Sequence, residues 1–382
     1  MITVSDKQNC CGCGACSQVC PQGCITMTAD EEGFLYPHVQ EAACIGCDAC
    51  LRVCPMDAGC GKPEAAVPAY AACSEDEPVR RSSSSGGIFS LLAHWVLERD
   101  GVVFGAAFAE DFSVRHRMIQ SPQELELLRG SKYLQSSTED TFRKAKALLE
   151  AGQMVLFSGV SCQIAGLKRY LKKDYPLLYT VDVLCHGVPS PMVWQTYRKY
   201  LETLHGSSFH NVNFRGKTLG WKQFTMEITF RNGDTCCVPH SDDPFMKLFL
   251  ENICLRPSCH SCRFKTFPRP SDLTLGDAWG IDGVFPELDD DGGTSLILVN
   301  SDKGQELLEK VQGQMTLKQG PLDELLPESA DSRTPVKPHP RRKAFFTAAA
   351  GGASVEKMLS ILKGTLPQRV IGAAGRILRG NR

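Results

Sequence analysis

The sequence predicts an α+β, or mixed α/β, chain: a short cysteine-rich module followed by a larger domain built on a mixed sheet. Three observations predict it. One cysteine phrase is written twice within the first 54 residues. Apolar strands then alternate with amphipathic helices through the middle of the chain, the pattern of a parallel layer. Later, a run of alternating residues closes on Asn232-Gly233, the strongest short hairpin signal.

The phrase is Cys10, Cys13, Cys16 and Cys20-Pro21, repeated as Cys44, Cys47, Cys50 and Cys54-Pro55. Both copies read C-x2-C-x2-C-x3-C-P, the bacterial run for a 4Fe–4S cluster. Three thiolates two residues apart on a tight turn reach three iron corners of one cube. The fourth enters a short helix, and the proline steers the chain away. In paired sites the fourth cysteine serves the other cluster. Cys10, Cys13, Cys16 and Cys54 are therefore assigned to one cube, and Cys44, Cys47, Cys50 and Cys20 to the second. The alternatives are a zinc ribbon or a disulfide staple, but structural zinc takes two separated C-x2-C pairs. A bacterial ferredoxin-type module is expected over residues 1–62.

Composition agrees with a cytoplasmic protein. Eleven of the 19 cysteines fall in the first 60 residues, unlike an evenly stapled secreted scaffold. MITVSDKQNC lacks an apolar core, so no signal peptide is expected. Apolar stretches fall short of the roughly 18 residues a membrane helix needs. A net charge of −1 gives no reason to invoke nucleic acid.

The larger domain is expected over residues 63–340, after a linker from Gly61 to Tyr70. Arg80-Arg81-Ser82-Ser83-Ser84-Ser85-Gly86-Gly87 precedes an apolar stripe at Ile88, Leu91, Leu92, Trp95 and Val96, one helix face. Gly101 opens a buried strand, VVFGAAF. Ser121-Pro122-Gln123-Glu124 forms a capping box for a second helix that stops at Gly130. A third helix starts after Ser137 or Thr138, buries Phe142, Ala145, Leu148 and Leu149, and ends at Gly152. Strand (Met154 to Phe157), helix (about Ile164 to Leu171), strand (Tyr179 to Leu184) and helix (about Met192 to Leu204) follow. Phe224, Met226, Ile228 and Phe230 then alternate into the Asn-Gly hairpin.

A third cysteine constellation lies in this domain. Cys162 and Cys185 each follow a predicted strand, and neighbouring parallel strands present those ends side by side, where α/β sheets place their sites. With the C-x2-C of Cys259 and Cys262 they could hold a third cube. Two alternatives stay open: buried free thiols, or zinc on Cys254, Cys259, Cys262 and His260. The serine–glycine run before the first stripe helix is a phosphate-cradle candidate, with Arg80 and Arg81 nearby. Gly130, Ser131, Lys132, Tyr133 and Ser136 could add a second contact.

Several phrases in order now carry a resemblance: the double cysteine motif, EEGFLYP, SSSSGGIFS, GSKYLQS, FSGVSCQIAGLK, CHGVPSPMVW, LRPSCHSCRFK and SDLTLGDAWGI. The chain resembles the beta subunit of the deazaflavin (coenzyme F(420)) reducing hydrogenase and dehydrogenase family, itself similar to plant hydroxymethyl-chlorophyll reductase. The resemblance spans roughly residues 1 to 345. It implies a mixed-sheet flavin-binding domain carrying FAD beside a 4Fe–4S cluster. It implies that Ser83, Ser84, Ser85, Gly86, Gly87, Gly130, Ser131, Lys132, Tyr133 and Ser136 contact the FAD. It also implies that Cys162, Cys185, Cys259 and Cys262 hold the flavin-proximal cube, with Gly276, Asp277, Trp279 and Gly280 nearby.

The expected activity is that of an iron–sulfur flavoprotein oxidoreductase, linked to ferredoxin or a larger redox subunit and to a two-electron small molecule. The alternative is a non-catalytic electron-transfer subunit. No catalytic acid is identifiable; His186 is a candidate that could equally order its loop. No G-x-G-x-x-G follows a strand, so no nicotinamide fingerprint is present. Residues 341–382 hold nine Lys or Arg against Glu356 alone, with Val355, Met358, Leu359 and Leu362 at helical spacing and a second short helix expected after Pro367. Such a basic amphipathic tail lies on an anionic membrane, meets an acidic redox partner or packs back on its own domain with its charges solvated.

Overall fold

A computed structural model describes residues 1–56 and 67–364. Cys60, most of the expected linker and the helix expected after Pro367 lie outside the described residues. In the module, α1 (Ala15–Val19) and α2 (Ala49–Arg52) flank an antiparallel pair, β1 (Ile25–Ala29) and β2 (Leu35–Val39). Gly14 and Asp48 occupy the same place in the two phrases, and both start their helices in the left-handed region. That turn lets three closely spaced cysteines curl before the chain straightens. Gly14 has a further reason to lack a side chain: a Cβ there would stand 2.6 Å from Thr138 Oγ1.

Beyond the module come β3 (Ala69–Ser74), α3 (Glu77–Ser82), α4 (Ile88–Leu97), β4 (Val102–Phe108), β5 (Val114–Ile119), β6 (Ser136–Ser137) and α5 (Thr141–Glu150). Next are β7 (Val155–Val160), α6 (Ser161–Leu171), β8 (Leu178–Val183) and α7 (Pro191–His205). A second region follows: β9 (Phe209–Gly216), β10 (Thr225–Phe230), β11 (Thr235–Pro239) and α8 (Pro244–Leu250). The chain then returns through β12 (Leu273–Asp277), β13 (Ser295–Val299), α9 (Asp302–Val311), β14 (Met315–Gly320) and α10 (Leu322–Leu325).

The large sheet runs β14-β3-β13-β12-β8-β7-β4-β5-β6. Its centre, β12-β8-β7-β4, is parallel, and antiparallel strands extend both sides. The central strands are apolar on both faces because both are covered. In β7, Leu156 packs toward α4 and α9, while Val155 and Phe157 pack toward α5 and α6. A second sheet, β11-β10-β9, folds with α7 and α8 into another apolar cluster around Trp194, Phe214 and Phe245. The Asn232-Gly233 hairpin joins β10 to β11 as expected.

The capping-box segment differs from its expectation. Pro122–Leu127 is a 3-10 helix rather than an α-helix. Only Leu125 and then Leu128 have a core to enter, and Glu124 turns back to the Gln120 and Ser121 amides, so the tighter coil suffices. Leu148 is half-buried at the edge of its cluster.

The described part of the basic tail forms α11 (Arg342–Ala350) and α12 (Val355–Lys363). Phe345, Phe346, Val355 and Met358 join the cluster that holds Phe34 of the module, so this apolar stripe is occupied by the protein itself. Arg342 locks the arrangement with a paired contact to Glu32, 2.8 and 2.5 Å, and a further bond to the Leu255 carbonyl. Arg342→Ala should therefore destabilise the chain by about 3 kcal/mol by leaving Glu32 unpaired in a mostly buried site. Urea midpoints at neutral pH check this, an unchanged midpoint being the failing result.

Candidate functional site

The two cysteine phrases fold into each other. Cys20 lines a pocket with Cys44, Cys47 and Cys50, while Cys16 lies among Cys10, Cys54 and Cys50. Cys24, outside both phrases, enters the second pocket with its sulfur 3.4 Å from Cys20. Burial, helped by the neighbouring Cys10 and Cys54, pushes the Cys16 thiol up to about 12. Cys13 is buried against Phe142 and Ala145 of the larger domain and hydrogen-bonds to Cys11.

The larger domain gathers its own thiols. Cys162 opens α6 after β7 and Cys185 follows β8, so the parallel pairing of these strands puts them side by side. Cys259 and Cys262 arrive from a 3-10 turn, Pro257–Ser261. All four line one pocket, and Cys11 of the module lines it too. The Val188 amide donates to the Cys259 sulfur at 3.4 Å. Burial pushes Cys185 up to about 11 and Cys259 up to about 12. Cys162 is raised further, first by its hydrogen bond with Cys11 and then by burial. Thiols bind metal as thiolates, so any metal loaded here displaces their protons.

The pocket lining has no acid. Its charged members are Arg256, Arg263, Lys265 and Arg269. A cube held by four thiolates is an anion, and a basic, buried wall fits it. Among the described residues no three His, Cys, Asp or Glu side chains converge tightly enough for a single ion. The zinc set loses a member as well, because Cys254 is fully buried in the apolar cluster with Phe245 and Phe249 and does not line the pocket. His260 bonds through Nδ1 to the Val336 carbonyl. His186 does line the pocket; burial lowers its pKa against the pull of Asp331, 3.2 Å away.

A second convergence joins the serine–glycine loop to the Gly130 loop. The Ser131 amide donates to Ser84 Oγ at 2.7 Å. Tyr133 accepts from Arg215, and Arg215 also pairs with Asp277 at 2.8 Å. Trp221 donates to Asp277 and stacks on Trp279, whose half-exposed ring forms the rim. Lys217 ties the Arg80, Ser85 and Gly292 carbonyls together. Among the described residues Arg215 Nε is buried without a hydrogen-bond partner.

Not every expected contact turns this way. Ser83 caps α3 on the Val79 carbonyl, Ser85 donates to the Thr294 carbonyl, and Gly86 approaches Ser295. Gly87 starts α4, and the Lys132 ammonium is turned onto the Leu128, Arg129 and Gly130 carbonyls. Arg80 is engaged by Asp290, and Arg81 is exposed beside Glu77. Ser136 lies apart, on His116 and Gln163.

Aromatic rings bridge the two convergences. Tyr133 stacks on Phe249 at 5.0 Å, and Phe249 meets His186 edge-on at 5.1 Å, one residue from Cys185. Sequence reasoning missed Cys11, Arg215, Lys217, Trp221, Phe249 and Arg256. The doubled Cys10-Cys11 pair was the only local signal among them.

Fold and site define an iron–sulfur protein of the oxidoreductase class. Two family models described as coenzyme F420 hydrogenase/dehydrogenase, beta subunit, match in succession. The amino-terminal one matches residues 69–142, and the carboxy-terminal one matches 152–324. A 4Fe-4S dicluster domain matches residues 9–58. The chain belongs to the coenzyme F420 hydrogenase/dehydrogenase beta-subunit family. Among solved structures it is similar to a chain of the xenon-derivatized F420-reducing NiFe hydrogenase complex from Methanosarcina barkeri. That match has 18% identity and a TM-score of 0.46, over 78% of this chain and 89% of that one. No curated protein matches. Among the described residues, no helix is long and apolar enough to cross a membrane.

The His116 network yields a pH test. Nε2 donates to the Ser158 carbonyl, so Nδ1 accepts from Ser136 Oγ, and burial lowers the pKa to about 4. Between there and the ordinary value near 6.5 the unfolded chain takes up a proton that the folded chain refuses. Stability is thus retained above that window and falls as pH drops through it. From pH 7 to pH 5 the wild-type chain should lose about 2 kcal/mol more than His116→Phe. Parallel pH slopes in denaturant titrations would contradict this.

Proposed function

We propose that the chain is an iron–sulfur flavoprotein oxidoreductase that moves electrons between ferredoxin-type cubes and FAD, and on to or from a two-electron partner. The observation that carries this reading is the basic pocket where Cys162, Cys185, Cys259 and Cys262 meet directly against the module's Cys11 and Met56. Four thiols from three separate segments, ringing a space rather than closing on one ion, suit a cube. In the module, Cys10, Cys13, Cys16 and Cys54 would hold one cube, and Cys44, Cys47, Cys50 and Cys20 the other.

Ser84, Ser131, Tyr133 and Arg215 would hold the FAD, with Arg215 Nε offering its free donor. A flavin exchanges single electrons with clusters and electron pairs with hydride partners. Around it the chain's own residues do three things. Lys217 fixes the serine–glycine loop through three carbonyls. Asp277 orients Arg215 and Trp221 together. Phe249 fills the space between Tyr133 and His186, so the two regions are joined by packed side chains. Ferredoxin or a larger oxidoreductase subunit is the expected redox partner. The family description names coenzyme F420, which makes a deazaflavin one acceptor to test. It also says beta subunit, which favours a second reading as the relay subunit of a larger complex.

Anaerobic purification tests these readings together. About twelve irons per chain with bound flavin are expected from three cubes. Full iron without flavin supports the relay subunit instead, and zinc in place of iron removes both. Cys162→Ser or Cys259→Ser should lower iron by about four per chain, and unchanged iron would mean those thiols are not ligands. Arg215→Ala should abolish flavin retention on gel filtration while leaving iron intact.

A further inference from the structure

We propose that Arg256 sets the reduction potentials of the two iron–sulfur sites on either side of it, so that neighbouring cubes can be reduced together. This rests on the cluster reading above and adds to it a residue that is not a ligand.

Arg256 is 1% exposed and immediately precedes the turn that carries Cys259. Its side chain leaves that turn and crosses into the module. Nε donates to the Cys10 carbonyl at 2.9 Å, Nη1 to Gln135 at 3.0 Å, and Nη2 to the Leu35 carbonyl at 2.9 Å. Nη2 also lies 3.7 Å from the Cys10 sulfur, within hydrogen-bond range for sulfur. The guanidinium stacks 4.3 Å from the Tyr36 ring centre, and it lines the pocket of Cys162, Cys185, Cys259 and Cys262. One buried cation thus touches a thiol of the module and faces the thiols of the larger domain.

Its charge has no ordinary partner. Of the other buried arginines, Arg80 meets Asp290 and Arg215 meets Asp277, whereas Arg269, on the far wall of the same thiol pocket, bonds to Ser161 and the Ser332 carbonyl and, like Arg256, has no carboxylate at ion-pair distance among the described residues. Among the described residues no carboxylate comes within ion-pair distance of Arg256. A buried charge without a counter-charge is costly. The cost is offset if the sulfur sites on both sides are anionic, as thiolate-held cubes are.

The cysteine loop is shaped around this guanidinium. Gly12 has φ +72, and a Cβ there would stand 2.9 Å from Arg256 Nη1 and 2.3 Å from Gln135 Nε2. Reduction adds one negative charge to a cube, and two adjacent reduced cubes repel each other. A positive charge and an N–H···S bond between them stabilise the added electrons and raise both potentials. A two-electron partner needs electrons delivered in close succession, which this arrangement favours.

The test is potentiometry of the anaerobically purified chain, followed by low-temperature EPR, with iron counted in each variant. In Arg256→Gln the cube on Cys10 and the cube on Cys259 should each become at least tenfold harder to reduce, which for one electron is about 59 mV. The cube of Cys44, Cys47, Cys50 and Cys20 should stay at its wild-type potential. Arg256→Lys, which keeps the charge, should recover more than half of the shift. Unchanged potentials with full iron, or equal shifts at all three cubes, would make Arg256 a structural bolt and overturn the proposal. A wild-type chain without EPR-active cubes overturns the cluster reading itself, a separate failure. Should Arg256→Gln lose iron, wild-type protein labelled with 15N-arginine decides: a 15N hyperfine coupling on the reduced module signal is expected, and its absence refutes the N–H···S contact.

Discussion

The molecule is organised by one side chain that ends a helix it does not belong to. Gln18, in the module, accepts hydrogen bonds from the Phe142 and Arg143 amides at the start of α5. Its own amide donates to Thr138, and Thr138 donates back to the Cys13 carbonyl. The first turn of any helix leaves amides unsatisfied, and α5 has no side-chain cap of its own. The module supplies the missing acceptor. This places the first cysteine loop against the sheet edge, and from that placement the nearness of Cys11 to Cys162 follows.

Charged side chains of the larger domain find backbone partners across this junction. Arg143 reaches the Gln18 carbonyl, Arg169 reaches the Arg52 carbonyl, and Arg263 reaches the Met56 carbonyl. Backbone oxygens of the module thereby receive donors from the larger domain instead of water. The thiol pocket at this boundary is lined by Arg256, Arg263, Lys265 and Arg269, with Asp331 reaching His186 from outside the lining.

Much of the fold was legible because it rests on local periodicity. The α4 stripe, the alternation through β7, α6, β8 and α7, and the Asn232-Gly233 hairpin all follow from patterns repeated within a dozen residues. The Ser121 capping box was legible as a start signal. Its length was not, since how far a helix continues depends on the core available to Leu125 and Leu128. The tail carried three readings, and the docking of Phe345 and Val355 against the cluster of Phe34 shows its described part packed on its own domain.

By itself the sequence determined that the module carries the 4Fe–4S dicluster phrase twice, because ligand spacing is a local property of a turn. It also determined that Cys162 and Cys185 end adjacent strands. Only the tertiary structure brought Arg256 to Cys10, 246 residues away in the chain, and Arg215 to Asp277, 62 residues away. Arg215 stands in no motif, and Arg256, though it stands just ahead of Cys259 in LRPSCHSCRFK, has no local sign of its partner. An arginine's length lets it act far from its own backbone, so its partner is set by how elements pack and not by its neighbours in sequence. The thiols could be read from their spacing; the charges that surround them could be read only from the fold.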